Sequence, residues 1–334
     1  MSRLRGTRFG AQGRPVTGRL APTPSGYLHL GNARSFLLAW LWARHEGGHV
    51  IMRVEDIDRP RCKHELREAA LEDLAWLGLG WDEGPRAGDP PGEYDQHTRF
   101  ELYRQGLNEL IEGGHAYPCV CSRKDIEKAS SAPHGEEGAV YPGTCRDRWD
   151  SWDQAKQESG VEPAWRFRWE GDFENFHDEC YGTVGLRPAG FGDFVLWRRD
   201  DLPSYQLAVT VDDALQGVTQ VLRGRDLLTS TARQLALYRA LGLVAPEHWA
   251  HVPFIQDAKG RRMAKRDGDF ALARLRESGV APERVIGMLA FSAGLMERPG
   301  LMTPAELVGE FRPDRLGGED FVVTEEHLAW LHGK

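Results

Sequence analysis

The chain has 334 residues, with 42 Lys and Arg against 50 Asp and Glu, giving a formal net charge of −8. That length suggests about two domains of ordinary size, and 41% hydrophobic with 28% charged residues excludes disorder as the main state. Its longest apolar runs fall far short of the roughly 20 residues that cross a bilayer. No apolar stretch follows the basic N-terminus as a signal peptide requires, and five cysteines make no disulfide framework, so a cytoplasmic protein is expected.

In chain order, residues 1–16 read as a loose basic arm. Arg3, Arg5, Arg8, Arg14 and Arg19 form an acid-free patch, matched far downstream by Arg261, Arg262, Lys265 and Arg266; on charge alone both are solvated segments. Residues 17–21 read as a strand, followed by the turn Pro22-Thr23-Pro24-Ser25-Gly26. From Asn32, apolar residues recur at three and four (Phe36, Leu37, Trp40, Leu41), and Gly47-Gly48 closes that helix. A buried strand over 50–54 and a helix over 64–77 complete the opening of a parallel α/β sheet.

A helix over about 99–113 comes next. Residues 114–150 then hold three of the five cysteines with little periodicity and read as an inserted module. Short strands are expected within 164–200. Residues 205–211 alternate, with Tyr205, Leu207, Val209 and Val211 on one face, which predicts a strand; Asp212-Asp213 would then be a turn before another strand at 218–222. A helix over 228–241 resumes the α/β pattern, and the rest is mostly helical, clearest at 284–293. The expected fold is a nucleotide-binding-type α/β sheet in five parts. These are the arm 1–16, a first half-sheet 17–113, an insertion 114–200, a second half-sheet 201–256, and a loop with a helical region over 257–334.

Two features carry chemistry. His29, Gly31 and Asn32 end the turn between the first strand and the first helix, where an open α/β sheet presents a helix N-terminus to anions. An imidazole there can donate to a phosphate, and a glycine admits close approach. The basic loop 259–266 contains Lys265, whose ammonium could close over a triphosphate.

The run Arg19-Leu20-Ala21-Pro22-Thr23-Pro24-Ser25-Gly26-Tyr27-Leu28-His29-Leu30-Gly31-Asn32 resembles the amino-acid and ATP site of class I glutamyl-tRNA synthetases. Arg53-Val54-Glu55-Asp56-Ile57-Asp58, residues 216–227 and Arg262-Met263-Ala264-Lys265-Arg266 match further blocks of that family in order. The resemblance implies a Rossmann-type catalytic sheet with His29 and Lys265 catalytic, and ATP held by His29, Gly31, Asn32 and Lys265 with Mg²⁺. It implies glutamate bound by Arg19, Leu20, Ala21, Pro22, Thr23, Glu55, Tyr205 and Arg223. An arginine fork suits a carboxylate, and Glu55 suits the ammonium. About 65 residues after Lys265 are too few for a further anticodon-binding domain of ~100 or more, so the chain is similar to the shortened branch of the family, the glutamyl-Q tRNA(Asp) synthetases. That branch activates glutamate with ATP and esterifies the queuosine base in the anticodon of aspartate tRNA; a monomer is expected.

Cys119, Cys121 and Cys145 offer three thiolates where a structural zinc takes four ligands. His115 and His134 are ordinary fourth candidates, whereas the resemblance supplies Tyr141, as a phenolate. Cys62 and Cys180 stand apart. Three positions depart from the family pattern: Asn32, where a histidine is frequent, Arg262 in place of a lysine, and Ala264 in place of a serine. Trp149, Trp152, Trp165 and Trp169 are candidates for stacking on RNA bases or for core packing. Two rival readings remain, a trimmed enzyme charging the 3′ end of glutamate tRNA, and a synthetase-like ATP- or RNA-binding module without catalysis.

Overall fold

A computed structural model describes residue 4 and residues 15–129, 139–171, 173–261 and 270–333. Lys265, Arg262, Ala264, Arg266, His134 and most of the N-terminal arm lie outside the described residues. Strand β1 (Thr17–Leu20) leads through the Pro22–Ser25 turn to helix α1 (Leu30–His45), which returns to β2 (His49–Met52), parallel to β1. Both strands are almost wholly buried, as parallel strands covered on both faces are. Helix α1 starts in a capping box. The His29 ring accepts from the backbone N–H of Gly31, and the Asn32 side chain accepts from the N–H of His29. It stops where Arg44 and His45 meet the negative end of its dipole and Gly47 turns to φ +66.

Helices α2 (His64–Trp76) and α3 (Phe100–Glu112) follow, and then the insertion: β3 (Ala116–Cys119), α4 (Arg123–Ala129), α5 (Trp152–Ser159), β4 (Ala164–Phe167), β5 (Glu174–Asp178), β6 (Gly182–Leu186), α6 (Pro188–Phe191) and β7 (Val195–Trp197). Strands β3, β4 and β7 form an antiparallel sheet, and β5 and β6 a hairpin. The main sheet resumes with α7 (Tyr205–Leu215), β8 (Gln220–Gly224), α8 (Leu228–Leu241) and β9 (His248–Val252), β8 and β9 being parallel. The two parallel pairs meet where Thr219 N–H donates to Thr17 O and Thr17 N–H donates to Thr219 Oγ1, each at about 2.8–2.9 Å. The chain closes with β10 (Ile255–Gln256), α9 (Leu272–Glu277), α10 (Pro282–Ser292), α11 (Pro304–Leu307), β11 (Phe321–Val322, parallel to β10) and α12 (Glu325–Leu331). No described helix is long and apolar enough to cross a membrane.

One core packs α1, β1 and β2 against the C-terminal helices; a second gathers α3, α7, α8 and the strands of the insertion. Arg34, buried in α1, ties the first core together by donating to the carbonyls of Pro253 and Ser292.

Residues 205–211 correct the expectation of a strand, because they are the first two turns of α7. Ser204 caps it by accepting from Leu207 N–H, and residues 207–214 are buried on every side. A helix buried all round loses the 3.6-residue contrast that identifies helices in sequence. Asp212 and Asp213 are accordingly helical and wholly buried, not a turn. Asp213 receives Arg53 Nη1 at 2.6 Å, and Asp212 receives Arg99 Nε at 2.7 Å and the hydroxyl of Tyr103 at 2.8 Å. Arg53, itself fully buried, also donates to Glu55 at 3.1 Å. This cluster fixes the carboxyl end of β2 against α7, the two elements that carry Glu55 and Tyr205.

Candidate active site

A cavity of about 440 Å³ opens at the carboxyl ends of β1, β2 and β8, where a parallel sheet places its ligands. Arg19, Ala21, Pro22, Thr23, His29, Gly31, Asn32, Glu55, Tyr205 and Arg223, dispersed through more than 200 residues of sequence, all line it. Leu20 does not. Its side chain points into the first core and is fully buried, because alternate residues of β1 face opposite sides.

Arg19, which the charge pattern groups with the acid-free patch and the resemblance with the glutamate pocket, is buried in this cavity. It donates from Nη1 to Leu222 O at 3.3 Å, sits 3.6 Å from Asp213, and has a buried Nε without a hydrogen-bond partner. Glu55 is placed by its own N–H donating to Pro22 O. Burial pushes its carboxyl above the usual range, against the pull of Arg53 and Arg19. Tyr205 accepts from Arg223 Nη1 at 3.2 Å, and burial raises its phenol. Two guanidinium groups and one carboxylate thus share a small pocket, the pattern an amino acid with an acidic side chain requires.

Another wall of the cavity is built on the α1 cap. Because His29 Nδ1 accepts from Gly31 N–H at 3.1 Å, a neutral ring carries its hydrogen on Nε2, as a donor. A Cβ on residue 31 would lie 3.0 Å from the same ring, so glycine is what lets the imidazole keep this pose. Asn32 spends its side-chain oxygen on the cap. The first turn of α1 contains no acid, leaving the helix N-terminus positive toward an anion. Arg261, at the start of the basic loop, is engaged by Asp257 at 2.6 Å.

Chain order gave no hint of Asp178, Thr231 and His251, a buried group behind Arg223. Arg223 donates from Nε to His251 Nε2 at 3.0 Å and from Nη2 to Thr231 Oγ1 at 2.8 Å, while His251 Nδ1 lies 2.6 Å from Asp178. A lone histidine in a strand carries no motif; only the pairing of β8 with β9, which sets Arg223 opposite His251, assembles the group.

The three cysteines of the insertion converge, their Sγ atoms lying within 4.8 Å of one another. The Tyr141 hydroxyl sits 3.4 Å from Cys119 Sγ and 3.9 Å from Cys121 Sγ. Tetrahedral zinc with bonds of about 2.3 Å spaces its sulfurs about 3.8 Å apart, so this donor set fits. No histidine joins it among the described residues; His115 stacks on Phe167 instead. Burial raises the Tyr141 phenol, so the charge of a metal would be what releases its proton. The Arg166 Nε donates to Cys119 Sγ at 3.2 Å and its guanidinium lies 4.0 Å from the Tyr141 ring centre, a cation beside ligands that become anionic. Cys62 and Cys180 form no disulfide and lie outside the cluster; burial pushes the Cys180 thiol up to about 12. Trp149 and Trp169 are buried in the cores, whereas Trp152 and Trp165 are half-buried.

A second cavity of about 920 Å³ shares Thr23, Glu55 and Tyr205 with the first and extends to Cys119 and Cys121, with Arg61, Arg123, Arg166, Arg198 and Arg199 on its walls.

The sequence matches the family "tRNA synthetases class I (E and Q), catalytic domain" over residues 15–315. It is 49% identical over 320 residues to the glutamyl-Q tRNA(Asp) synthetase of Symbiobacterium thermophilum, covering 95% of this chain and 99% of that one. The chain belongs to the class I glutamyl-tRNA synthetase family, in its glutamyl-Q tRNA(Asp) synthetase branch. It is therefore a ligase whose substrates, by family, are ATP, glutamate and tRNA. The glutamyl-Q tRNA(Asp) synthetase of Nitratidesulfovibrio vulgaris is 46% identical over 88% of this chain and 91% of its own. The glutamate–tRNA ligase of a Sulfurihydrogenibium species is 35% identical over 94% of this chain, which spans only 66% of that ligase. Among solved structures, a glutamate tRNA ligase from Elizabethkingia meningosepticum in complex with its amino acid superposes with a TM-score of 0.79 at 28% identity, covering 95% of this chain and 68% of that one.

Proposed function

We propose that the chain activates L-glutamate with ATP and transfers the glutamyl group to the queuosine base in the anticodon of aspartate tRNA. The observation that carries the activation step is the single cavity holding Arg19, Arg223 and Glu55 beside the N-terminus of α1. In this reading Arg19, with Arg223 and Tyr205, receives the substrate's side-chain carboxylate, and Glu55 its ammonium, while Ala21, Pro22 and Thr23 shape the pocket. The α-carboxylate attacks the α-phosphorus of ATP in line, forming glutamyl-adenylate and releasing pyrophosphate. The carboxylate is already a competent nucleophile, so positioning and charge neutralisation do the work. His29 Nε2–H and the backbone of Gly31 and Asn32 meet the phosphates, and Lys265 is assigned to them by resemblance. Mg²⁺ enters as the counter-ion of ATP. A hydroxyl of the queuosine cyclopentenediol then attacks the activated carbonyl, giving an ester and AMP.

The choice of acceptor is supported by the relatives named glutamyl-Q tRNA(Asp) synthetase at 45–49% identity, against 35–38% for those named glutamate–tRNA ligase. The larger cavity, sharing Thr23, Glu55 and Tyr205 with the first, offers the acceptor base a route to the adenylate. Zinc is the metal proposed for Cys119, Cys121, Cys145 and Tyr141; its role is to hold β3 to the 141–145 segment, since no ligand lines the 440 Å³ cavity and only Cys119 and Cys121 border the larger one. The test is labelling of aspartate tRNA prepared with and without queuosine. Incorporation of glutamate only into the queuosine-containing form supports this function; equal labelling of both forms, or labelling of glutamate tRNA alone, favours 3′-end charging and overturns it.

A further inference from the structure

We propose that Asp178 and His251 are positioning residues that aim the Arg223 guanidinium at the substrate's carboxylate while leaving its positive charge unspent. This rests on the reading of Arg223 as a glutamate contact. Arg223, His251 and Asp178 are 5%, 0% and 0% exposed, so every polar atom among them must be accounted for by neighbours.

Proton bookkeeping fixes the chain. A guanidinium can only donate, so the Arg223 Nε–H, 3.0 Å from His251 Nε2, requires that nitrogen to be bare. The ring hydrogen then sits on Nδ1 and is donated to Asp178 Oδ2 at 2.6 Å. The other oxygen of Asp178 is held by the backbone N–H groups of Cys180 and Tyr181 at 3.0 and 3.1 Å, so the carboxylate cannot rotate away. On the Arg223 side, Nη2 donates to Leu227 O and Thr231 Oγ1, and Nη1 to the Tyr205 hydroxyl. One Nη1 hydrogen is left over, on a side chain that lines the cavity.

The partners of Arg223 are all neutral. Two other buried arginines are met directly by carboxylates, Arg53 by Asp213 and Glu55 and Arg67 by Asp95, whereas Arg34 is held by main-chain carbonyls; carboxylates are the partners to compare. Among the described residues none touches Arg223. The carboxylate of Asp178 is held one imidazole away, which orients the fork without forming the ion pair that would compete with an incoming anion. Burial lowers the His251 imidazole to about 4, so it remains an acceptor at neutral pH. In its protonated form it would turn an N–H toward the N–H of Arg223.

The test uses the full-length protein in glutamate-dependent ATP–pyrophosphate exchange with aspartate tRNA present, and a thermal melt on every variant. Replacing the imidazole by an apolar group of similar bulk in His251→Leu should raise the glutamate KM about tenfold or more, the cost of one misdirected charge-assisted bond, with the ATP KM within about twofold of the parent. His251→Gln keeps an acceptor oxygen and should recover most of the loss. In Asp178→Asn the amide oxygen is claimed by the same backbone N–H groups. Its NH2 then faces the ring, moves the ring hydrogen to Nε2, and should raise the glutamate KM as well. A folded His251→Leu or Asp178→Asn with an unchanged glutamate KM overturns the inference, as does an equal rise in both KM values. Should His251→Leu fail to fold, Asp178→Asn and His251→Gln decide alone. Arg223→Ala separates this inference from the reading beneath it, since an unchanged glutamate KM in that variant removes Arg223 from the pocket altogether.

Discussion

Glu55 shows how one side chain is pulled in two directions by its surroundings. Burial favours its neutral form, while Arg53 at 3.1 Å and Arg19 nearby favour the anion. Its carboxyl is pushed above the ordinary range by burial, so in the free protein it takes up a proton at higher pH than an exposed glutamate does. The ammonium of the substrate needs the ionised form. The glutamate KM should therefore rise on the acid side with a limiting slope of about one log unit per pH unit, and the ATP KM should not follow it. In Glu55→Gln the glutamate KM should be high at every pH and the slope gone; a variant with the parent's profile would show that Glu55 does not hold the ammonium. Neither the Arg53 salt bridge nor the burial of Glu55 could be read from the sequence, where Glu55 stood out only through the block Arg53-Val54-Glu55-Asp56-Ile57-Asp58. That Arg223 and Tyr205 would line the cavity was legible, Arg223 from its block and Tyr205 from the family resemblance alone, whereas Asp178 and His251 were not, since each is a single residue whose partner is distant in the chain.

Elements whose ends are marked by chemistry were legible. Helix α1 starts at its His29–Asn32 box and stops at Gly47, and α8 spans the expected 228–241 and ends at Gly242 in the left-handed region. Helix α7 was not legible, because a strand-like alternation of Tyr205, Leu207, Val209 and Val211 runs through a helix buried on all faces. The insertion is also specified by something other than periodicity. Cys119 ends β3, Cys121 follows it, and Tyr141 and Cys145 lie on a separate segment, with a small core of Tyr117, Trp149 and Ala155 behind them. So small a core gains much from a metal. Elemental analysis of the purified protein should find about one zinc per chain. Cys145→Ser should lose it and melt several degrees lower, with protease cutting first between residues 119 and 150. Full stability and an unchanged cleavage pattern in the zinc-free variant would deny the metal its structural part.

At the scale of the whole molecule, an interrupted parallel sheet brings residues 19–32, 55, 205 and 223 to one cavity. The insertion places Cys119, Cys121 and four arginines along a second cavity that shares a wall with the first. The net charge of −8 therefore says little about RNA binding, because the cations that matter are local. Arg19, part of the acid-free basic patch yet expected in the glutamate pocket, lines the first cavity. The division of the sheet was legible in the order of the blocks; the second cavity was not, since it exists only once β3, α4, β7 and α7 are folded together. The central claim is that glutamate activated in the first cavity is delivered to a base, not to a tRNA end. Aspartate tRNA labelled by this protein with radioactive glutamate, digested to nucleosides under mildly acidic conditions that preserve the ester, tests it most directly. The label is predicted to migrate with the queuosine nucleoside; recovery of the label on the 3′-terminal adenosine would contradict the account.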